Sequence, residues 1–290
     1  MLINKAIIKN NFSSAAKNYD EFAVVQNLAA KKVSELVFPY LKNNSKILDL
    51  GAGNGFVAKN ILDKSSDQLL VAIDHLLIHK EAYDEQPPLK NEVALHEMKS
   101  RRIYPKLQIF EIDLVRPIKK NQNTFFIQGD MEKPCFNDNS FDLITSSFAL
   151  QWMENLEQSF IEFHKILKPN GIFIFAVPMD ESLSELKNAS VNSGCDFHFN
   201  QLPKREKLEK IFEKSGFNLL NLYQETIKQR FVSGIDAIKS IKKIGANYSL
   251  QRQNKITKIQ LKKFDNSFKS TSNAQFCEIS WLVNYFILSK

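Results

Sequence analysis

Residues 46–62 read KILDLGAGNGFVAKNIL, a short apolar run, then Gly51, Gly53 and Gly55, then a helical repeat of apolar residues. A strand that stops at a glycine turn and re-enters as a helix opens a doubly wound α/β domain, because glycine tolerates the tight turn and the close backbone approach. The loop is GxGxG, and Phe56 stands where a dinucleotide fingerprint carries its last glycine, which argues against a hydride-transferring dehydrogenase. Further strands are expected at Thr124–Gln128, Phe141–Thr145 and Gly171–Val177, the last preceded by a helix from about Leu156 to Leu167 and a Lys168-Pro169-Asn170-Gly171 turn. Strands that alternate with helices predict a mostly parallel sheet. Around this core the spacing predicts an amphipathic helix over 12–38 with a polar entry at Tyr19-Asp20. It also predicts a mainly helical segment over 179–250 and a final helix and strand within 251–290, the strand at Ala274–Leu288. The plan is therefore an N-terminal helical cover (1–45), an α/β core (46–178) with an insertion within about 64–123, a helical cap (179–250) and a terminal strand that completes the sheet (251–290).

Acidic residues close the strands. Asp49 precedes the glycine loop, and Asp130 follows the strand Thr124–Gln128. The second strand has two candidates, Leu69–Ile73 ending in Asp74, 19 residues after Gly55, and Leu107–Ile112 ending in Asp113. An acid about 20 residues beyond such a loop suits ribose hydroxyls. Any one of these aspartates alone reads more readily as a helix cap. Together at consecutive strand ends they describe a pocket for an adenosine-bearing ligand that carries positive charge, the character of S-adenosylmethionine (AdoMet) and not of a pyrophosphate.

Composition narrows the setting. No apolar run reaches the roughly 18 residues of a membrane span, and the opening MLINKAIIKNNF is too short and polar for a secretory signal. Cys135, Cys195 and Cys277 are scattered, with no histidine at ligand spacing, so neither a metal site nor a disulfide framework is expected and a cytoplasmic setting is. The net charge of +7 suits an acidic partner, although the heavy use of Lys, Asn, Ile and Phe reads as well as the bias of an AT-rich genome.

The stretches LDLGAGNG and IQGDMEKPCFNDNSFDLITSSFALQWMENLEQSFIEFHKILKPNGIFIFAVP resemble class I AdoMet-dependent methyltransferases, over most of the chain. Four others, FSSAAKNYDEFAVVQNLAA, SSFALQWM, MDESLSELKNA and IDAIKSIKKIGANY, are similar to the malonyl-acyl-carrier-protein O-methyltransferases of biotin synthesis (the BioC family). The resemblance implies a Rossmann-like α/β fold with a mostly parallel seven-stranded sheet, a covering N-terminal helix and a helical cap after the fifth strand. It implies methyl transfer from AdoMet to the free carboxylate of malonyl-acyl carrier protein, an acidic protein partner, with no nucleic acid or membrane involved. Carried over by motif, Asp49, Gly51, Gly53 and Gly55 form the cofactor loop and Asp130 and Met131 the adenine pocket. Tyr19 and Gln26 cover cofactor and acceptor, and Ser147, Gln151 and Trp152 lie beside the reacting methyl. Whether Asp74 or Asp113 holds the ribose stays open, because the chain is longer than a minimal member here. A carboxylate with a pKa of around 3–4 is ionised at pH 7 and needs no general base. The implied catalysis is therefore placement and water exclusion, which agrees with the lack of any Ser-His-Asp or Cys-His pattern. A DNA amino-methyltransferase is disfavoured, because Ser-Ser-Phe-Ala stands where such enzymes carry an Asp/Asn-Pro-Pro-aromatic turn and the chain's Pro87-Pro88 lies elsewhere. His164 and His198 receive no role. Arg101-Arg102 and Lys239, Lys242 and Lys243 could face an acidic carrier or simply water. A cation for the substrate carboxylate is expected without being assigned. The rival functions are another small-molecule O- or C-methyltransferase on the same core and an AdoMet-binding assembly factor that acts on a protein.

Overall fold

The computed structural model describes residues 5–17, 19–65, 107–117, 123–195, 197, 199–246, 256–270 and 276–290. Seven strands form one sheet: β1 (Lys46–Leu50), β2 (Gln108–Asp113), β3 (Thr124–Gln128), β4 (Phe141–Ser147), β5 (Leu167–Pro178), β6 (Asn218–Phe231) and β7 (Cys277–Ser289). Their spatial order is β3-β2-β1-β4-β5-β7-β6. The pairs from β3 through β5 are parallel, and β7 lies antiparallel between β5 and β6. The strand order reverses around β1, so a crevice opens at the carboxyl ends of β1 and β4, where open α/β sheets bind ligands. The candidate strand Leu69–Ile73, with Asp74, lies outside the described residues, as do Arg101-Arg102, His198 and most of the insertion. Leu107–Ile112 supplies β2, which places Asp113 at its end.

The helices are α1 (Lys5–Ala15), α2 (Tyr19–Phe22), α3 (Val24–Val37), α4 (56–65), α5 (Leu156–Ile166), α6 (Ser184–Ser193), α7 (Arg205–Ser215), α8 (Gly234–Lys243) and α9 (Lys258–Ser270). They cover both faces of the sheet, as the alternation along each inner strand requires. On β1, Ile47 joins a core with α3, α4 and α9, whereas Leu48 and Leu50 join one with α5 and α7. On β5, Ile174 and Ala176 face the first core and Phe173 and Phe175 the second. The second core is a cluster of rings centred on Phe160, whose centroid lies 5.4 Å from those of Phe173 and Phe212 and 5.8 Å from those of Phe163 and Phe175.

Three expectations need correction. Residues 12–38 are not one helix: α1 ends at Ala15, and Ala23, with φ −81° and ψ 43°, separates α2 from α3. The break leaves Tyr19 stacked on Phe56 of α4 at 6.2 Å and lets Asp20 accept from the Asn54 side chain. The segment 179–250 is not mainly helical, because it contains the 14-residue strand β6 beside α6, α7 and α8. β6 is the edge of the sheet, with Ile227 its one buried residue, so it carries polar residues on both faces and shows no apolar alternation to read. The expected turn at 168–171 is instead the start of β5, which pairs through Leu167, shifts register and resumes at Ile172. The strand bends there at Asn170, which has φ 61°.

Phe160 is fully buried. Replacing it with alanine should cost about 3–5 kcal/mol, read as a lower urea midpoint with an unchanged m-value. A loss below about 1 kcal/mol would mean that the ring cluster does not carry the core.

Candidate functional site

The carboxyl ends of four neighbouring strands converge on the crevice. β1 delivers Asp49 and the glycine loop, β2 Asp113, β3 Asp130 and β4 Ser147. Parallel register sets Asp49 beside Glu111 of β2 and Thr145 of β4. Asp49 is fully buried. Its Oδ1 accepts from Thr145 Oγ1 at 2.8 Å, and its Oδ2 has no hydrogen-bond partner. Burial raises the Asp49 pKa well above the carboxylate range, and the nearby Glu111 and Asp113 push in the same direction.

The glycines divide the labour of the loop. Gly51, Gly53 and Gly55 all have positive φ, between 57° and 73°. A Cβ on Gly51 would meet Ala149 Cβ at 2.3 Å, so that glycine is required by packing. A Cβ on Gly53 would meet nothing within 4 Å and would project into open space, as expected where a ligand lies against the backbone. Gly55 does not line the cavity and supports the turn, its N–H donating to Ala52 O at 2.9 Å. Asp113 braces the loop from β2, accepting from Gly53 N at 2.9 Å and from Val115 N at 2.8 Å. Burial raises its pKa, and these main-chain bonds oppose the rise.

Two cavities meet in this crevice. The first contains Asp49, Gly51, Gly53, Asp113, Asp130, Met131 and Ser147 in its wall. The second runs under α6 and α8 and contains Gln151, Leu183 and Trp281. Phe12, Tyr19, Gln26, Phe148 and Trp152 belong to both walls and mark the junction. Of the residues expected from sequence, the structure thus gathers Tyr19, Gln26 and Trp152 at the junction and places Gln151 on the far side. Asp74 lies outside the described residues. At the junction Phe12 meets Trp152 edge-on at 5.4 Å. Tyr19 keeps its phenolic proton, since burial and the charges of Asp113 and Asp20 push its pKa far upward. The Ser147 Oγ and Gln151 Oε1 are buried without partners, while Gln151 Nε2 donates to Phe148 O at 2.7 Å. Phe148 and Leu183 hold positive φ values of 54° and 62°. Large residues take such a conformation at a cost of about 1–3 kcal/mol each, and it clusters at functional sites.

Three contributors were not singled out by sequence. Lys5 of α1 bridges Asp130 and Glu132, the latter at 2.7 Å, and so pins α1 across the first cavity. Glu132 also accepts from Glu154 N at 2.9 Å and Asn155 N at 3.0 Å, which ties the site to the start of α5. Phe12, at the junction, belongs to α1, most of which precedes the helix expected from residue 12 onward. The spacing of Asp130 and Glu132 on one short turn was a usable signal, whereas nothing local marks Lys5.

Among the described residues, no cluster of His, Cys, Asp or Glu could hold a metal ion, and no helix is long and apolar enough to cross a membrane. Neither cavity wall contains a histidine or cysteine among those residues. The first cavity has Lys5, Lys9 and Arg116 in its wall beside four acids, and Lys5 is paired with Asp130 and Glu132. Among the described residues Asp49 and Asp113 are paired with no cation at its glycine-lined side, which suits a cationic ligand. The second, largely apolar, suits a small acceptor.

Comparison with known proteins agrees with this geometry. Residues 22–222 match the family model described as a methyltransferase domain. The chain is 27% identical to the malonyl-acyl-carrier-protein O-methyltransferase 2 of Ilyobacter polytropus, over 100% of this chain and 99% of that protein. It is 28% identical to the protein of the same name in Coxiella burnetii, over 85% and 84%. Among solved structures, a putative methyltransferase from Bacillus halodurans superposes with a TM-score of 0.54 at 14% identity, covering 89% of this chain and 98% of that one. That likeness concerns the fold.

The two unlike glycines make a test. Alanine at Gly51 or Gly53 carries left-handed strain of about 1–2 kcal/mol, and Gly51→Ala adds overpacking of about 1–3 kcal/mol. Urea unfolding should therefore find Gly51→Ala clearly the less stable of the two. Equal losses would remove the packing role assigned to Gly51.

Proposed function

The chain belongs to the methyltransferase-domain family, and from that premise we propose that it transfers a methyl group from AdoMet to the free carboxylate of a malonyl thioester carried on acyl carrier protein. The product is a methyl ester. What carries this reading is the junction: a cavity that holds Asp49 and Asp113 and a mostly apolar one with no acidic residue among the described ones share a wall of Phe12, Tyr19, Gln26, Phe148 and Trp152. A cationic donor and an anionic acceptor would each have a compartment and one place to meet. The names of the relatives from Ilyobacter and Coxiella support the choice of acceptor.

The residues fit AdoMet on two observations, the unpartnered buried Oδ2 of Asp49 and the open space over Gly53. When bound, AdoMet supplies a methyl carbon whose bond to a sulfonium breaks, leaving the electron pair on sulfur, as the bond to the carboxylate oxygen forms. Asp49 would hold the positively charged end, and Gly53 would admit the ligand against the backbone while Gly51 keeps the loop packed on Ala149. Asp113, at the end of β2, would take the ribose hydroxyls. Asp130 and Met131 would border the adenine, and Asp130 has acceptor capacity beyond the bonds it makes to Lys5 and Glu132 N. Tyr19, whose proton is held fast, acts as a hydrogen-bond donor and not as a base. Gln26 and Trp152 would confine the acceptor, and α1, held by Lys5, would exclude water. No proton moves in this reaction, so the absence of histidine and cysteine from the described walls costs it nothing.

Intact mass after incubation with AdoMet tests the acceptor, with malonyl-acyl carrier protein, malonyl-CoA and an unmalonylated carrier in parallel. One methyl group on the malonyl carrier protein alone is the expected result. Saturable AdoMet binding without transfer would leave the cofactor site and remove the acceptor, returning attention to a small-molecule or protein substrate.

Asp49 gives a second test, because its raised pKa has a definite sign. A carboxyl whose folded pKa lies above its unfolded value of 3.8 costs the fold nothing below that value. It penalises folding progressively as pH rises toward the folded value, and fully above it. Asp49→Asn should therefore stabilise the ligand-free protein toward urea at pH 8 relative to pH 4, while calorimetry shows AdoMet binding weakened by at least tenfold, a loss of about 1.4 kcal/mol. An Asn variant that binds AdoMet normally would dismiss Asp49 as the cation partner.

A further inference from the structure

The walls of the two cavities differ in charge more than in shape. The first has four acids, Asp49, Asp113, Asp130 and Glu132, beside three bases, Lys5, Lys9 and Arg116, in its wall. The second has no acidic residue among the described ones and a single cation, Lys187. Lys187 sits in the first turn of α6, and the fold fixes it there from both sides. Leu183, in the left-handed conformation, starts the helix, and its carbonyl accepts from Lys187 N at 3.0 Å. Glu185 anchors the same turn to β7 by accepting from Ser280 N at 3.1 Å and Ser280 Oγ at 2.6 Å. The ammonium has no ion pair among the described residues, and its side-chain hydrogen bond goes to a main-chain carbonyl, that of Asp180. The Asp180 carboxylate lies 3.8 Å from a different cation, Lys204. Lys187 is half-buried, and that burial lowers its pKa against the opposing charges of Asp180 and Glu181.

A half-buried ammonium that satisfies one of its three donors with a neutral oxygen is costly in a mostly apolar cavity. The cost is recovered when an anion enters. We propose that Lys187 binds the carboxylate of the acceptor and thereby makes the second cavity selective for acyl thioesters that end in a carboxylate. The inference deepens the proposed reaction and rests on it. The grip is electrostatic and made in the ground state, where the carboxylate carries its full charge. Methylation removes that charge, so the contact weakens along the reaction. Lys187 therefore lowers KM without raising kcat, and it favours release of the neutral ester.

The experiment uses the full-length protein saturated with S-adenosylhomocysteine and compares its affinity for malonyl- and acetyl-acyl carrier protein. It does so for the natural protein, Lys187→Met, Lys187→Gln and Lys187→Arg. The natural protein and Lys187→Arg should prefer the malonyl form, and the preference should fall by about 10- to 100-fold in the two neutral variants, with AdoMet affinity unchanged. In turnover, the same variants should raise KM for the malonyl carrier and leave kcat equal or higher. Neutral variants that keep the malonyl preference would overturn the role of Lys187 while leaving the reaction standing, as would a fall in kcat at constant KM. A natural protein that does not distinguish malonyl from acetyl would overturn the proposed acceptor itself. Two neutral variants of different polarity guard against one failing to fold, which thermal unfolding reports.

Discussion

One buried carboxylate organises the centre of the molecule. Asp49 sits on β1, an inner strand of a seven-stranded sheet, where an ionised oxygen without a partner is expensive. Its single side-chain bond comes from Thr145, and its neighbours in register include a second acid, Glu111. A core position of this kind would ordinarily be apolar, as Ile47, Leu48 and Leu50 around it are. The arrangement is stable because the rest of the sheet is over-determined by two apolar cores, so the strain is carried locally. It also sets the ligand's character. An anionic or apolar group arriving beside Asp49 would leave the unpaired oxygen as costly as before, whereas a cationic donor would supply both a hydrogen bond and a compensating charge.

The glycine loop answers to the same constraint. Gly51 must lack a Cβ because Ala149 closes over it, and that contact holds the loop after β1 against the turn after β4. Asp113 ties Gly53 from the other side. The loop is thus clamped between β2 and β4 before any ligand arrives, which removes part of the ordering cost that binding would otherwise incur. The second cavity is assembled differently, from α6, α8 and the N-terminal helices, and outside its wall Lys243 lies over the Phe22 ring at 3.9 Å, a cation–π pair that joins α8 to α2. Binding chemistry on a rigid sheet and acceptor choice on helices is a division that lets one fold serve many acceptors.

What was legible in the sequence follows from this division. The strand ends were legible because the sheet core enforces short, apolar, interrupted runs, and Asp49, Gly51, Gly53 and Asp130 fall where those runs stop, whereas the second strand end had two candidates, Asp74 and Asp113. The edge strand β6 was not, since an edge need bury only one residue, Ile227, and its other apolar residues, Leu219, Leu220, Leu222, Tyr223 and Phe231, do not keep to one face. The break at Ala23 was illegible for a similar reason. Alanine favours a helix, and the departure goes with a contact that Tyr19 makes to Phe56 in another part of the chain. Lys5 and Lys187 carry no local signature at all, because a lysine becomes informative only when its surroundings are known.

The charge pattern of the cleft also bears on how the reaction could be fast without acid–base groups. A sulfonium and a carboxylate annihilate each other's charge when the methyl moves, and water opposes that by solvating both reactants better than the neutral products. An enzyme for such a step gains by making the meeting point apolar and keeping its fixed charges away from it. The junction wall contains Phe12, Phe148, Trp152, a neutral Tyr19 and Gln26, none of them charged. The fixed charges belong to one wall or the other and not to both: Asp49 and Asp113 to the first cavity, Lys187 to the second. The acids of the first wall can hold the donor by groups other than its reacting carbon, whereas a cation on the reacting carboxylate tightens binding in the ground state and so acts on KM and not on kcat. A carboxylate or ammonium introduced at the junction would reverse that advantage by favouring one of the two reactant charges.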